Sequence, residues 1–548
     1  MALRRAARSV EKGEPFVGNS EKEYTDAIIE SARAVIAVRE EVGLYGFHYM
    51  THLRPELILT EPALYRLNYR AIKPEGPFEE KVVAKSLRWV QTQRGLHSQL
   101  PAQYVHDLAK SPIAQSILSE RAAELDTFTV GVGLRAAQTT SAVVRLSPGV
   151  NHVFPALSAY ARSLRSTSLE ARIKTRRLFD SIQNGLASAV GDERIEFITE
   201  RQWPIKIVSD APMEWLPVGN LPLAMRCDCS RINATPGNLL MGLLVEPRPI
   251  VVAPESLMDF LVVSTFEDDD RLKDVLKQAL EVTRDGWEKR ARVTFRTAQS
   301  KEEFIDALNS FEGAFLIFDG HGVNNANEPV GKLMLGSEAI DVWELHRKVR
   351  VPPIVILSAC DTQGIDASSH ATVGNGFLFL GALTVLATLL PVGGLSSAAF
   401  ISRLVYRVAE FVPTAIAARG RVLNWTEVVS GMLRRFLASE LLDALVGPPG
   451  DADTPQGKLL VKAGEDIDVR EDNHWFDNLL ERIAENRGQH LAAIQAKAQS
   501  LIARAEAIRY IQLGNPELII IDDGKTRERL AEDADALTAH LAEARTTT

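Results

Sequence analysis

The chain has 548 residues, of which 46% are hydrophobic and 24% are charged, and its formal net charge is -9 at pH 7. A typical domain has about 150 residues, so the length predicts two to four domains, and the composition is typical of a folded globular protein. The negative net charge gives nucleic acid and anionic lipid no electrostatic reason to bind. Three cysteines, Cys227, Cys229 and Cys360, provide no disulfide framework and are typical of a reducing compartment.

Residues 1–200 are predicted to form a mainly helical region with a regulatory or sensing role. Apolar residues recur at helical spacing over residues 24–36 and 169–187, and no motif that carries chemistry accompanies them. The first 15 residues contain basic side chains but no apolar stretch, so we expect no secretory signal and a cytoplasmic protein.

From about Trp203 onward, short β-rich runs alternate with helical segments. An amphipathic helix with an acidic first turn is predicted over residues 268–280. The β-α-β-α-β order predicts an α/β fold, with a mostly parallel sheet covered by helices and right-handed crossovers. The predicted strands are residues 205–208, 249–253, 260–264, 292–295, 314–318 and 353–357.

The stretch from Ala371 to Ser402 contains no charged residue and is long enough to span a bilayer. Glycines and a proline divide it into short pieces, each too short to span on its own. We interpret it as a covered helix followed by a strand that is buried on both faces, as in the core of an α/β protein. A membrane segment is the alternative.

A stretch rich in Pro, Gly and Asp at residues 447–455 is typical of a linker or surface loop. The chain beyond it is predicted to be mostly helical, notably over residues 475–513. The expected division is therefore a helical region over 1–200, an α/β domain over 201–425, and a helical region over 426–548.

Two of the predicted strands end in motifs that carry chemistry, Asp-Gly-His-Gly at residues 319–322 and Ser-Ala-Cys-Asp at residues 358–361. Ligands and reacting groups in open parallel sheets gather at the carboxyl ends of the strands, so we expect both motifs to face one cleft. The chain between His321 and Cys360 is long enough for one crossover, which allows the two strands to be neighbours.

A histidine beside a cysteine suits nucleophilic attack on a peptide carbonyl. A thiol with its ordinary pKa of ~8.5 is mostly protonated at neutral pH, so His321 would generate the thiolate of Cys360 and later protonate the leaving amine. Gly322 allows a close approach of the backbone to the substrate, and its N–H with that of Cys360 would form an oxyanion hole.

These residues resemble the CHAT proteases, which are caspase-like cysteine peptidases of clan CD related to separase. The resemblance implies a caspase-like α/β fold, with His321 as general base and acid, Cys360 as nucleophile and Gly322 as an oxyanion donor. It covers roughly residues 203–410, and its motifs lie at residues 318–322, 355–362, 376–385 and 391–392.

The resemblance also extends to residues 208–217, which look like the opening strand of the family and the loop that follows it. Caspase relatives place some substrate-binding groups in that loop, so Asp210 and Glu214 are candidates, and solvated loop carboxylates are the alternative. Ser358 and Asp361, which flank the cysteine, are further candidates. Ser358 stands where relatives that select a basic P1 residue carry an acid, so a basic P1 is not supported.

Family membership implies a protein substrate, such as a bacterial gasdermin or the product of a neighbouring gene, in antiviral defence. An activating partner would act through the helical regions. No cofactor, metal, nucleic acid or membrane is expected. Cys227 and Cys229 suggest a metal only weakly, because a structural zinc site requires four ligands and no second Cys or His pair lies close in the sequence.

Other interpretations of the site remain open. Cys360 would serve as a small buried hydrophobic residue and His321 as a hydrogen-bonded loop residue in an inactive caspase-like scaffold that binds protein partners. His346 and His370 are rival bases, although neither ends a predicted strand between glycines. A membrane-associated protein that uses residues 371–402 is the third hypothesis.

Overall fold

The computed structural model describes residues 16–42, 53–64, 72–96, 102–166, 168–245, 249–323, 330–359, 362, 371–448 and 450–525. Cys360, Asp361 and His370 lie outside the described residues.

The strands are numbered in chain order. They are β1 (Leu57–Thr60), β2 (Ala142–Arg145), β3 (Pro204–Val208), β4 (Pro217–Val218), β5 (Leu221–Pro222), β6 (Asp228–Ile232), β7 (Ile250–Val252), β8 (Asp259–Ser264), β9 (Arg292–Thr297), β10 (Phe315–Asp319), β11 (Gly322–Val323), β12 (Lys332–Leu335), β13 (Glu338–Asp341), β14 (Ile354–Ser358), β15 (Thr384–Thr388), β16 (Leu423–Asn424), β17 (Tyr510–Gly514) and β18 (Ile519–Ile521).

Ten of the described strands form one sheet in the order β2-β1-β3-β6-β17-β15-β14-β10-β8-β9. From β15 to β9 every neighbouring pair is parallel. β17 is antiparallel to β15 along its whole length. The predicted α/β fold with a mostly parallel, caspase-like sheet is therefore confirmed.

The strands at the middle of this sheet are apolar along their length. All five residues of β10 and of β15 are buried, as are the first four of β14. Strands that helices cover on both faces have no solvent face, so their sequences do not alternate between apolar and polar residues.

The helices are also numbered in chain order. They are α1 (Glu21–Val42), α2 (Pro77–Thr92), α3 (Ala102–Leu108), α4 (Pro112–Thr139), α5 (Phe154–Leu164), α6 (Leu169–Val190), α7 (Asp192–Thr199), α8 (Leu223–Arg226), α9 (Gly237–Val245), α10 (Val275–Val282), α11 (Lys301–Asn309), α12 (Val373–Phe379), α13 (Gly394–Tyr406), α14 (Val412–Arg419), α15 (Trp425–Leu445), α16 (Pro455–Gly464), α17 (Trp475–Arg487) and α18 (Leu491–Ile502).

The uncharged stretch folds as α12, β15 and the first part of α13. Because β15 is a central strand and α12 is buried along six of its seven residues, the predicted buried core is confirmed. No helix in the described part of the chain combines the length and the apolarity that crossing a bilayer requires.

The sheet draws strands from all three stretches of the expected division. β1 and β2 come from the region predicted as mainly helical, and β17 lies inside the stretch 475–513 that was also predicted as mostly helical. The helical prediction is wrong for residues 510–514. Tyr510 and Ile511 have high β propensity, and pairing with all five residues of β15 decides their conformation. The domain boundaries themselves stay a prediction.

Candidate active site

The carboxyl ends of three neighbouring strands meet at one edge of the sheet. Asp319, the last residue of β10, pairs with Ser358 at the end of β14 and with Ser264 at the end of β8. The strands that lead to the two predicted motifs are therefore adjacent, parallel and in register. Side chains that follow Asp319 and Ser358 by equal distances along the chain leave the sheet at the same edge.

His321 follows β10 by two residues, and its backbone is held on both sides. The Gly320 N–H donates to the Ser358 carbonyl (3.3 Å), and the His321 carbonyl accepts from the Met334 N–H (3.0 Å). Gly320 has no room for a side chain, because a Cβ there would collide with the hydroxyl of Thr265. Local packing therefore requires the glycine before the histidine.

The imidazole of His321 is half exposed and contacts two side chains from the segment after β8. Its Nε2 lies 2.7 Å from Oδ2 of Asp270. Its ring packs edge-on against Phe266, with 5.0 Å between the ring centroids. The loop after β8 therefore fixes both the position and the orientation of this ring.

Asp270 is an anion that accepts hydrogen bonds in this arrangement. The Leu272 N–H donates to its Oδ1 (2.8 Å), and this bond is the main reason why the pKa of Asp270 lies below its ordinary value, with His321 acting in the same direction. An ionised carboxylate only accepts, so Nε2 of His321 must carry the proton of the hydrogen bond. Nδ1 is then left with a lone pair that can accept a proton.

The sequence prediction of a helix over residues 268–280 is wrong at its start. The helix α10 begins only at Val275, and residues 271–274 form turns. Asp270 Oδ1 binds the N–H of Leu272 within this turn, while its Oδ2 reaches His321. The three successive aspartates at residues 268–270 have the sequence of an acidic first helical turn. Nothing in the local sequence indicates that Asp270 contacts His321, which follows another strand.

Cys360 and Asp361 lie outside the described residues, but the chain on each side of them is well anchored. The hydroxyl of Thr388, at the end of β15, donates to the Ala359 carbonyl (3.0 Å). The N–H of the same residue donates to the hydroxyl oxygen of Thr362 (3.2 Å). One threonine on the next strand thus holds both ends of the segment that contains Cys360.

A small cavity of about 50 Å³ lies beside His321, and Asp319 and Ser358 also line it. Burial raises the pKa of Asp319 to about 7, while a hydrogen bond with the hydroxyl of Ser358 acts in the opposite direction. That hydroxyl also lies 3.0 Å from the hydroxyl of Ser397 on α13. A carboxyl that titrates near neutral pH therefore lies two residues from the histidine.

Gly322, the predicted oxyanion donor, directly follows His321 and begins β11, where it pairs with Leu333. This pairing places its backbone beside the histidine at the same edge of the sheet. Its role as a donor stays a prediction.

The structure assigns Glu214 and Asp210 to other contacts. Both carboxylate oxygens of Glu214 bind the guanidinium of Arg231, Oε1 at 2.7 Å from Nε, and both side chains are buried. The carboxylate of Asp210 accepts from the N–H (3.2 Å) and the hydroxyl (3.0 Å) of Thr235. Glu214 is therefore engaged in a buried bidentate ion pair, and the substrate-binding roles of Glu214 and Asp210 stay predictions.

Residues 208–217, which resemble the opening strand of the family and its loop, comprise the end of β3 and the segment that follows it. β3, which contains residues 205–208, lies at the far side of β6, β17, β15 and β14 from β10. The strand that pairs with β10 on its other side is β8, and the loop after β8 is the one that contacts His321. The loop that follows β8 therefore borders His321.

Of the rival bases and the candidate metal ligands, His346, Cys227 and Cys229 lie in the described part of the chain. The ring of His346 stacks on Phe379, with centroids 4.5 Å apart, and His370 lies outside the described residues. Cys227 and Cys229 are buried, and burial raises the pKa of the Cys227 thiol to about 11. Within the described residues, no group of three or more His, Cys, Asp and Glu side chains is arranged to hold a metal ion.

Comparison with models of protein families matches residues 207–419 to the CHAT domain. No curated protein matches the chain.

Proposed function

Because residues 207–419 form a CHAT domain, which belongs to the caspase-like peptidases, we propose that this protein is a cysteine endopeptidase with His321 and Cys360 as its catalytic dyad. The observation that best supports the proposal is the register of β10 with β14. Asp319 pairs with Ser358, so His321 and Cys360 each follow a paired strand end by two residues.

In the proposed reaction, Nδ1 of His321 takes the proton of the Cys360 thiol. The thiolate attacks the carbonyl carbon of the scissile peptide bond, and backbone N–H groups of Gly322 and Cys360 bind the oxyanion that forms. When the C–N bond breaks, the imidazolium of His321 returns its proton to the leaving amine and a thioester remains. Water, deprotonated by the same imidazole, then hydrolyses the thioester and releases the thiol.

Asp270 supports this chemistry through the histidine. Its carboxylate holds Nε2–H and stabilises the imidazolium that forms after proton transfer, as the buried aspartate does in serine protease triads. Asp270 contacts no reacting atom, so it is a positioning residue. In the proposed site, Asp270 therefore orients the base, and His321 and Cys360 carry out the reaction.

The proposed substrate is a specific protein partner. Ser358 and Asp361 flank the nucleophile in the chain and are proposed to contact the residues around the scissile bond. Ser358 is neutral and its hydroxyl contacts the hydroxyl of Ser397, so it supplies no charge for a basic P1 residue. The family resemblance suggests a defence effector in the cytoplasm that activates a gasdermin or the product of a neighbouring gene. The helical regions would receive the activating partner.

The experiment is co-expression of the protein with candidate partners, followed by mass spectrometry of newly formed protein N-termini. Fragments should appear with the wild-type protein and vanish with Cys360→Ala and with His321→Ala. His346→Ala is the matched control, because this histidine stacks on Phe379 and should leave cleavage intact. Fragments that persist with Cys360→Ala, or that vanish with His346→Ala but not with His321→Ala, would contradict the assignment.

A further inference from the structure

A second cavity, of about 170 Å³, is lined by the residues that precede β1, by the last turns of α4 and by the segment that follows β17. Its lining includes Glu517, which follows β17 by three residues. None of its described lining residues belongs to the cavity beside His321. The cavity is therefore separate from the proposed active site.

Arg135 on α4 lines this cavity, and only 1% of its surface is exposed. Its Nη2 donates to Oε1 of Glu517 (2.6 Å) and to Oδ1 of Asn515 (3.1 Å). Its Nε and Nη1 are also buried and have no hydrogen-bond partner in the structure as described. A buried charged group with unused donors is costly, so these two N–H groups point to a missing acceptor.

The cations around the cavity outnumber the anions. Glu517 is the one carboxylate among the described lining residues, and its Oε2 is already bound by Nζ of the buried Lys206 (2.7 Å). Arg54 adds a second guanidinium to the lining, and its Nη1 donates only to the Gln138 carbonyl (2.9 Å). The pKa of Arg54 is lowered mainly by burial, and also by the positive charge of Arg135. Arg135 and Lys206 thus share the carboxylate of Glu517, and Arg54 adds a third positive charge.

We propose that this cavity binds a tetrahedral oxyanion, phosphate or sulfate, either free or as a group on a small molecule, between Arg54 and Arg135. The planar N–H fork of a guanidinium matches the oxygens of such an anion. Apolar walls formed by Leu53, Pro55 and Ile520 exclude water and strengthen the ion pairs. This inference does not rest on the proposed protease activity.

The test is calorimetric titration of the full chain with inorganic phosphate, and separately with sulfate and acetate, at constant pH and ionic strength. Wild type should bind phosphate or sulfate saturably with one site per chain, and acetate at least tenfold more weakly. Arg54→Gln should weaken phosphate binding at least tenfold, and Arg54→Lys should retain part of it. Arg176→Gln, on the exposed face of α6, is the matched control and should bind as wild type does.

Arg54 is preferred to the buried Arg135 for this test, because it is partly exposed and its replacement should leave the fold intact. The thermal unfolding temperature, measured with and without phosphate, is the second readout and should rise with phosphate in wild type but not in Arg54→Gln. Absence of saturable binding of both phosphate and sulfate to wild type would overturn the proposal. So would equal phosphate affinity in wild type and Arg54→Gln.

Discussion

Oδ2 of Asp270 lies 2.7 Å from Nε2 of His321, although the two residues come from loops that follow different strands. β8 and β10 are neighbours with their last residues in register, so the loop after β8 and the residues after β10 leave the sheet side by side. The contact gives the histidine a fixed tautomer, with the proton on Nε2 and a lone pair on Nδ1.

Replacement of Asp270 tests this orientation. Asp270→Asn keeps the size of the side chain but removes the charge that stabilises the imidazolium, so we expect peptide cleavage to slow by about 100-fold or more. The thermal unfolding temperature should change little, because the carboxylate is close to the surface. Asp268→Asn, two residues away and exposed, should leave the rate unchanged. Equal rates for the two variants would show that Asp270 does not position His321.

Thr388 is predicted to hold the segment that contains Cys360 in place. Thr388→Val is nearly isosteric and removes the hydroxyl that donates to the Ala359 carbonyl, which leaves a buried acceptor unpaired at a cost of roughly 1–3 kcal/mol. We expect the rate of cleavage to fall by roughly tenfold beyond any effect on folding.

The matched control for Thr388 is on the same strand. Thr384 is equally buried, and its hydroxyl donates to the Leu513 carbonyl (2.9 Å), away from the Cys360 segment. Thr384→Val should lower the unfolding temperature to a similar extent but keep the cleavage rate. If both variants lose activity in proportion to stability, Thr388 has only a structural role.

Asp319 is predicted to make stability depend on pH. Burial raises its pKa in the folded state to about 7, above the ordinary value of 3.8. The folded protein therefore binds this proton more tightly than the unfolded chain does. Stability is lost as the pH rises between these two values, and the full cost, on the order of 4 kcal/mol, is present above pH 7.

Asp319→Asn removes this cost, so the variant should be more stable than wild type at pH 8 and nearly equal at pH 4. Urea or thermal unfolding at the two pH values measures the difference. Asp180→Asn, on the exposed surface of α6, is the control and should show no such change with pH. A variant that is less stable than wild type at pH 8 would contradict the prediction.

Gly320 is predicted to be required mainly because of the hydroxyl of Thr265, which is the nearest atom to a Cβ built at this position, ahead of the ring of Phe318. Gly320→Ala places a Cβ against the hydroxyl of Thr265, which should displace His321 and abolish cleavage. Thr265→Ala removes that hydroxyl, and the double variant should recover a substantial part of the rate. No recovery in the double variant, when measured at equal folded fraction, would show that the glycine has another role.

The site could be predicted from the sequence where its signals are local. The apolar runs that became β10 and β14, and the polar motifs after them, were sufficient to predict two adjacent strand ends with His321 and Cys360 beyond them. The contact of Asp270 with His321 was missed because three successive aspartates have the same local sequence as an acidic first helical turn. The ion pair of Glu214 with Arg231 could not be predicted, because the pairing of β3 with β6 brings the arginine to it.

The sequence also did not predict the strands of the sheet that come from distant parts of the chain. The four residues of β1 are all buried, but a run this short has no periodicity that separates it from a loop or a helix turn. β17 follows two helices and depends for its conformation on pairing with β15, more than 100 residues earlier in the chain. Such pairings are set by the packed sheet and not by the segment alone.

The measurement that tests the central claim most directly is the rate at which Cys360 is alkylated by iodoacetamide, followed by mass spectrometry of the peptide that contains it. It requires no substrate, and Cys227 and Cys229 are buried and should react slowly. At pH 6.5, Cys360 should react at least tenfold faster in wild type than in His321→Ala, while His346→Ala should match wild type. Equal rates in wild type and His321→Ala would show that the histidine does not activate the thiol.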